Sequence, residues 1–184
     1  MGSSYACRFF IQDGPTAINT AFPYRRRVVW AVHGLADGTA QAREARIIAM
    51  SRTIIATDGA PAAIGPYSQG VRVGNLIFTA GQIPLDPATQ QVVAGGITEQ
   101  ATRVLENLKA ILEEASSSMD RVVKSTVYLK SMEDFAAMNA VYDAYLGRGE
   151  GPPARTTVEV SRLPKNVLVE IDVVAEAGPA GLDA

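Results

Sequence analysis

Two residues in the C-terminal third, Arg155 and Glu170, have the types and settings that proton transfer and anion binding require, and little else in their part of the chain competes. The 184-residue sequence has one Cys, Cys7, and one His, His33, and both precede Met50. From Ser51 to Ala184 there is therefore neither thiol nor imidazole. That excludes, within this stretch, a disulfide, a Cys or His metal site and a Ser-His or Cys-His nucleophile pair. Carboxylates alone can hold a hard cation, but no Asp-rich loop of the EF-hand kind is present. The domain is expected to work without a metal.

Around Glu170 the residues alternate: Val169, Ile171 and Val173 make a uniformly apolar face, and Glu170 and Asp172 share the other. A carboxylate in such a strand loses part of its hydration, which raises its pKa and suits it to proton transfer. The same pattern also fits a solvent-facing residue on a half-exposed sheet. Arg155 opens the neighbouring strand, straight after Pro152-Pro153-Ala154. A guanidinium at a rigid strand end is a planar fork suited to a carboxylate, although a rim salt bridge would look alike. Strand pairing could bring the two together, but periodicity does not set the register. Tyr67, between Pro66 and Ser68, could wall a pocket or fill a core. Gly81 closes a strand, and its missing side chain would let a ligand approach the backbone.

The elements that must carry these residues begin after Met50. Strands are predicted over Thr53–Thr57, Asn75–Gly81, Val122–Leu129, Arg155–Val160 and Val167–Ala175. Gly65–Gly70 must be a turn-rich loop, and Pro84, Pro87 and Gly95-Gly96 mark another. From Thr98 the apolar residues Ala101, Val104, Leu105, Leu108, Ile111, Leu112 and Ala115 form a helical stripe, with Thr98 as N-cap and Glu99 in the first turn. A second helix, Phe135 to Leu146, is capped by Asp134. Its stripe of Phe135, Met138, Val141, Tyr142 and Tyr145 reads as core. The order β-β-α-β-α-β-β is that of a mixed α+β sheet with helices packed on it. Five strands and two helices leave one sheet face incompletely covered, and homo-oligomerisation would cover it.

Composition agrees with one globular domain: 47% of residues are hydrophobic and 20% charged, and no apolar run reaches the roughly 20 residues of a membrane span. Charge divides at Met50. Residues 1–50 hold six Arg against Asp13, Asp37 and Glu44, a net of +3, whereas residues 51–184 hold 11 basic and 16 acidic residues, a net of −5. The acidic domain should repel nucleic-acid backbones. Residues 1–50 lack sustained patterning and are expected to be unstructured, either an over-extended start before Met50 or an Arg-rich targeting segment. The domain itself is placed at 51–178, with a tail at 179–184. A cytoplasmic location is expected, or a mitochondrial or plastid one if the extension is a targeting segment.

Ala60-Pro61-Ala62-Ala63-Ile64-Gly65-Pro66-Tyr67-Ser68-Gln69-Gly70, Ala80-Gly81-Gln82-Ile83-Pro84, Asn107-Leu108-Lys109-Ala110-Ile111-Leu112, Asn139-Ala140-Val141-Tyr142, Pro153-Ala154-Arg155-Thr156-Thr157-Val158-Glu159-Val160 and Leu163-Pro164-Lys165 closely resemble the RidA family of 2-iminopropanoate deaminases, in order and over residues 51 to about 177. The resemblance implies a chorismate-mutase-like α+β fold, two helices on one face of a mixed sheet, and a homotrimer with sites between subunits. It implies hydrolysis of small enamine and imine acids, such as 2-aminoacrylate and 2-iminopropanoate, to 2-oxo acids and ammonia, with no cofactor because the C=N bond is already electrophilic. By position it makes Arg155 the carboxylate-binding arginine and Glu170 the water-activating glutamate. Tyr67, Gly81 and Asn139 become substrate contacts. The residue before that glycine, often Ser in the family, is Ala80, so a hydroxyl is lost there. Thr157 stands where some members have Cys, which leaves no thiol to regulate.

Two rival functions fit the same chain. One is a trimer that binds 2-oxo acids without turnover, and the presence of Glu170 argues against it, since carboxylate binding alone needs no glutamate. The other is an RNA-directed activity, against which the net charge of −5 and the missing His count.

Overall fold

The computed structural model describes residues 52–147 and 151–178. The expectations for the extension and the tail lie outside these residues.

The predicted helices form with small adjustments at their ends. α1 spans Ile97–Glu114 and buries Ile97, Ala101, Val104, Leu105, Leu108, Ile111 and Leu112 along one face. Its N-cap is Gly96, not Thr98, and the Glu99 carboxylate accepts the Gly96 N–H at 2.8 Å. The cap falls two residues early because a glutamate three positions on satisfies that orphan donor without a capping hydroxyl. At the other end the Ser117 N–H donates to the Leu112 carbonyl at 2.8 Å and the Ser116 N–H to the Glu113 carbonyl at 3.0 Å. This Schellman closure puts Ser116 in the left-handed region, at φ +57°. α2 spans Phe135–Leu146, after a single 3₁₀ turn at Met132–Asp134. Asp134 holds the N-cap position but makes no side-chain cap. Ser131 instead accepts the Glu133 N–H one turn earlier.

Among the described residues six strands, one more than predicted, form a single sheet: β1 Arg52–Ile55, β2 Gly70–Val73, β3 Leu76–Thr79, β4 Val122–Leu129, β5 Ala154–Glu159 and β6 Val169–Glu176. The added strand is β2, which returns into β3 through a two-residue turn with Gly74 at φ +60°. Its four residues are too few for a period to register, and Val71 and Val73 face away from the core. The order is β1-β2-β3-β6-β4-β5, antiparallel throughout except for β4 and β5. α2 makes the crossover between those two parallel strands.

Both helices cover the same face. Val169, Ile171, Val173 and Ala175 of β6 join Val127 and Leu129 of β4 in one core with α1 and with Met138, Tyr142 and Leu146 of α2. Three buried amide side chains tie loops to this core. Gln69 bonds Thr57, Ala60 and Pro61, Asn107 bonds Leu85, and Gln100 accepts the Leu168 N–H where β6 begins. Each of these side chains thereby finds at least one partner that hydration would otherwise supply, while the Asn107 Oδ1 meets none among the described residues.

Candidate active site

Directly opposed residues on neighbouring strands share a face, and successive residues alternate, so β4 serves as a ruler across the sheet. Arg155 lies opposite Ser125, which lies opposite Val173. Glu170 lies opposite Tyr128, which lies opposite Val158. Ser125 and Tyr128 are an odd number of residues apart, so the two rows belong to opposite faces. Arg155 is on the face covered by helices, and Glu170 is on the open face. From the sequence, Arg155 is expected on the strand next to that of Glu170. β4 in fact lies between them, because α2 carries the chain over to a parallel partner on β4's outer edge.

On the covered face, α2 grips the Arg155 side chain. An Nη1 hydrogen goes to the Oδ1 of Asn139 at 2.8 Å, and the guanidinium carbon lies 4.5 Å from the centre of the Tyr142 ring and 5.5 Å from that of Phe135. Asn139, one turn after Phe135 on the same helix, reaches Arg155 for that reason. Among the described residues no carboxylate forms an ion pair with Arg155. A stacked guanidinium with its charge unmatched and several N–H donors left over is a receptor for a carboxylate. The aromatic stripe of α2 is thus core along Met138, Tyr142 and Leu146, while its Tyr142 and Phe135 rings also line the arginine.

On the open face, Glu170 is half-buried, with Asp172 two residues on and Tyr128 beside it. Burial pushes its pKa up, and the Asp172 charge adds to this. Burial and the same two carboxylates also push the Tyr128 hydroxyl up. Gly81 lies directly against Glu170: a Cβ built there would stand 2.9 Å from the Glu170 Cδ. The space that a side chain at Gly81 would fill is taken by this carboxyl group. Just beyond, Gln82 pairs with Ile171 through two backbone hydrogen bonds of 2.8 and 3.1 Å, which hold the Gly81 segment along β6.

Tyr67 is exposed, and its hydroxyl accepts the Ile64 N–H at 3.1 Å. It lines a recess of about 670 Å³ with Thr57, Asp58, Gln69 and Glu114, one that includes neither Arg155 nor Glu170. Among the described residues no hydrogen bond joins Tyr67 to either. The structure therefore gathers Arg155 with Asn139, and Glu170 with Gly81, and leaves these two half-sites and Tyr67 apart within one chain. Sequence reasoning missed Ser125, buried beneath Arg155 with its Oγ 2.6 Å from the Tyr142 hydroxyl. A lone Ser in a Val- and Thr-rich strand carries no signal of such a role. It is legible only through strand register.

A mixed α+β domain with a guanidinium on one sheet face and a desolvated carboxylate on the other defines the class. The family model described as "Endoribonuclease L-PSP" matches residues 57–177. A RutC family protein of Pyrococcus abyssi is 59% identical over 126 residues, covering 68% of this chain and 98% of its own length. The 2-iminobutanoate/2-iminopropanoate deaminase of Escherichia coli strain K12 is 50% identical over 127 residues, with coverages of 68% and 98%. The crystal structure of the YjgF gene product of Escherichia coli superposes with a TM-score of 0.64 at 49% identity, covering 67% of this chain and 98% of that one. The chain belongs to the Rid family, which bears the names RidA, RutC and L-PSP.

Proposed function

We propose that this protein hydrolyses small 2-imino and 2-enamino acids to 2-oxo acids and ammonia, at sites that two copies of the chain complete within a homotrimer. The observation that carries this reading is the placement of Arg155 and Glu170 on opposite faces of one sheet. No substrate a few atoms long can touch both in a single chain. A second copy laid on the open face can bring its arginine-bearing edge, β5 and α2, to the first copy's glutamate. Ile54, Leu76, Phe78 and Val158 all point from that open face and are 38–59% exposed. Such a band of apolar side chains favours association, and a cyclic trimer repeats one heterologous contact three times.

The chemistry follows from the two half-sites. Arg155, stacked and held by Asn139, takes the substrate carboxylate in a two-pronged hydrogen bond and fixes the adjacent C=N carbon. Glu170, made more basic by burial and by Asp172, takes a proton from water as the oxygen attacks that carbon of the protonated imine (the iminium), which gives the neutral carbinolamine. The carbinolamine then collapses. Glu170 returns its proton to the nitrogen, then takes the hydroxyl proton as the C=O forms and the C–N bond breaks to release ammonia. The last proton passes from Glu170 to the ammonia. The iminium carbon is electrophilic without a cofactor, so positioning and proton transfers through one carboxylate suffice. The 50%-identical relatives named as deaminases support this substrate class, whereas the more similar archaeal relative carries the family name alone.

The deciding experiment couples the protein to a dehydratase that releases 2-aminoacrylate and follows ammonia and 2-oxo acid. Faster release than in the protein's absence is expected. Equal rates would leave only ligand binding for the site.

A further inference from the structure

We propose that Ser125 and Tyr142 are positioning residues for Arg155, forming a brace that holds its guanidinium flat and fixed for a carboxylate. This rests on the deaminase reading for its catalytic consequence, though not for its structural content. Three links close a ring. The backbone ladder sets Ser125 directly opposite Arg155. The Ser125 hydroxyl meets the Tyr142 hydroxyl at 2.6 Å. The Tyr142 ring lies beneath the guanidinium, 4.5 Å from its carbon.

Both residues are nearly inaccessible, with Ser125 at 0% and Tyr142 at 4% exposure. A buried pair of hydroxyls gains little net stability over well-packed apolar groups, so its presence in a Val- and Leu-lined core calls for another role. That role is orientation. A phenylalanine in place of Tyr142 would fill the same volume, but its ring could rock about χ1 and χ2. The hydroxyl pair pins the far end of the ring to a β-strand. The guanidinium carbon sits over that ring, so a pinned ring gives it a fixed platform, and the bond to Asn139 fixes one of its N–H groups. Carboxylate recognition by two parallel N–H bonds depends on the guanidinium plane, and a loose fork loses directionality before it loses charge.

The test compares Tyr142→Phe, Ser125→Ala and Ser125→Thr with the wild type by two readouts. The first is ¹⁵N relaxation of the Arg155 Nε–H, which reports how rigidly the guanidinium is held and needs no activity. The second is steady-state imine hydrolysis. Tyr142→Phe and Ser125→Ala should lower the order parameter of the Nε–H and raise KM by about three- to tenfold, the scale of one hydrogen bond, with kcat changed less. Ser125→Thr, which keeps the hydroxyl, should restore both. The double variant Ser125→Ala/Tyr142→Phe should be no worse than either single change, because both cut the same link. An unchanged Nε–H order parameter in Tyr142→Phe and Ser125→Ala would overturn the brace. So would a KM rise that Ser125→Thr fails to reverse while all three variants melt with the wild type. Reduced Arg155 order with no imine hydrolysis in any protein, wild type included, would uphold the brace and count against the deaminase reading instead.

Discussion

The Glu170 carboxyl group fills the space that a side chain at Gly81 would need: a Cβ there would lie 2.9 Å from Glu170 Cδ and 3.1 Å from Cγ. The glycine and the glutamate are therefore one device. The Gln82–Ile171 bridge fixes the backbone on both sides, so the two cannot separate by a loop movement. Gly81→Ala should push the carboxyl out of place while leaving the core intact, since the colliding atoms lie along one flexible side chain. A misplacement of about 1 Å lowers catalysis by roughly a hundredfold. Turnover should fall on that scale with a melting temperature close to the wild type's. Wild-type turnover in Gly81→Ala would show that the position of Glu170 beside Gly81 does not matter.

Placement on opposite faces makes a prediction about mixtures. Arg155→Ala and Glu170→Gln should each be inactive alone. If every site takes its arginine from one copy and its glutamate from the next, refolding the two variants together at equal amounts leaves about a quarter of the sites with both groups intact. The mixture should regain activity in that proportion. No recovery, in mixtures shown by sedimentation to have exchanged subunits, would place both groups in the same chain.

Glu170 also links stability to pH. Its folded pKa is raised, first by burial and then by Asp172. A carboxyl group of this kind stabilises the fold fully below its unfolded pKa, and that contribution is lost as pH rises through the folded pKa. Glu170→Gln removes the ionisation. Its melting temperature relative to the wild type should therefore climb from about pH 4.5, the ordinary glutamate value, toward neutrality. Asp172→Asn should reduce the climb by removing the like charge. A difference that falls with pH instead would mean that a cation from another copy outweighs the desolvation.

At the C-terminus of α1, Ser116 adopts φ +57° in a Schellman closure where glycine has no steric penalty. Its side chain is exposed and forms no hydrogen bond among the described residues, while its carbonyl accepts the Gly178 N–H at 2.9 Å. Ser116→Gly should stabilise the domain by about 0.5–1 kcal/mol, read as a rise of a few degrees in melting temperature. A lower melting temperature would show that backbone freedom in the unfolded chain outweighs the relief.

Local pattern carried far in this chain. β4 at Val122–Leu129 and α2 at Phe135–Leu146 have the bounds that their composition and spacing predict. The alternation around Glu170 puts Val169, Ile171 and Val173 in the core and the two carboxylates on the other face, as the period of two requires. The absence of Cys and His after Met50 removes whole classes of chemistry without any coordinates. The motifs that resemble the family supply the rest of the candidate residues, including Asn139, which periodicity alone would leave as one polar position on a helix.

What the tertiary structure decided is which groups meet. Backbone hydrogen bonds choose a strand's partner, and any strand with the right alternation can accept them. Thus nothing local says that β4 inserts between β5 and β6, or that Ser125 rather than a neighbour lies under Arg155. Once the register is set, alternation sends Arg155 to the helices and Glu170 to the open face. A sequence can specify each side chain's chemistry, but the face on which it acts depends on contacts between residues distant in the chain.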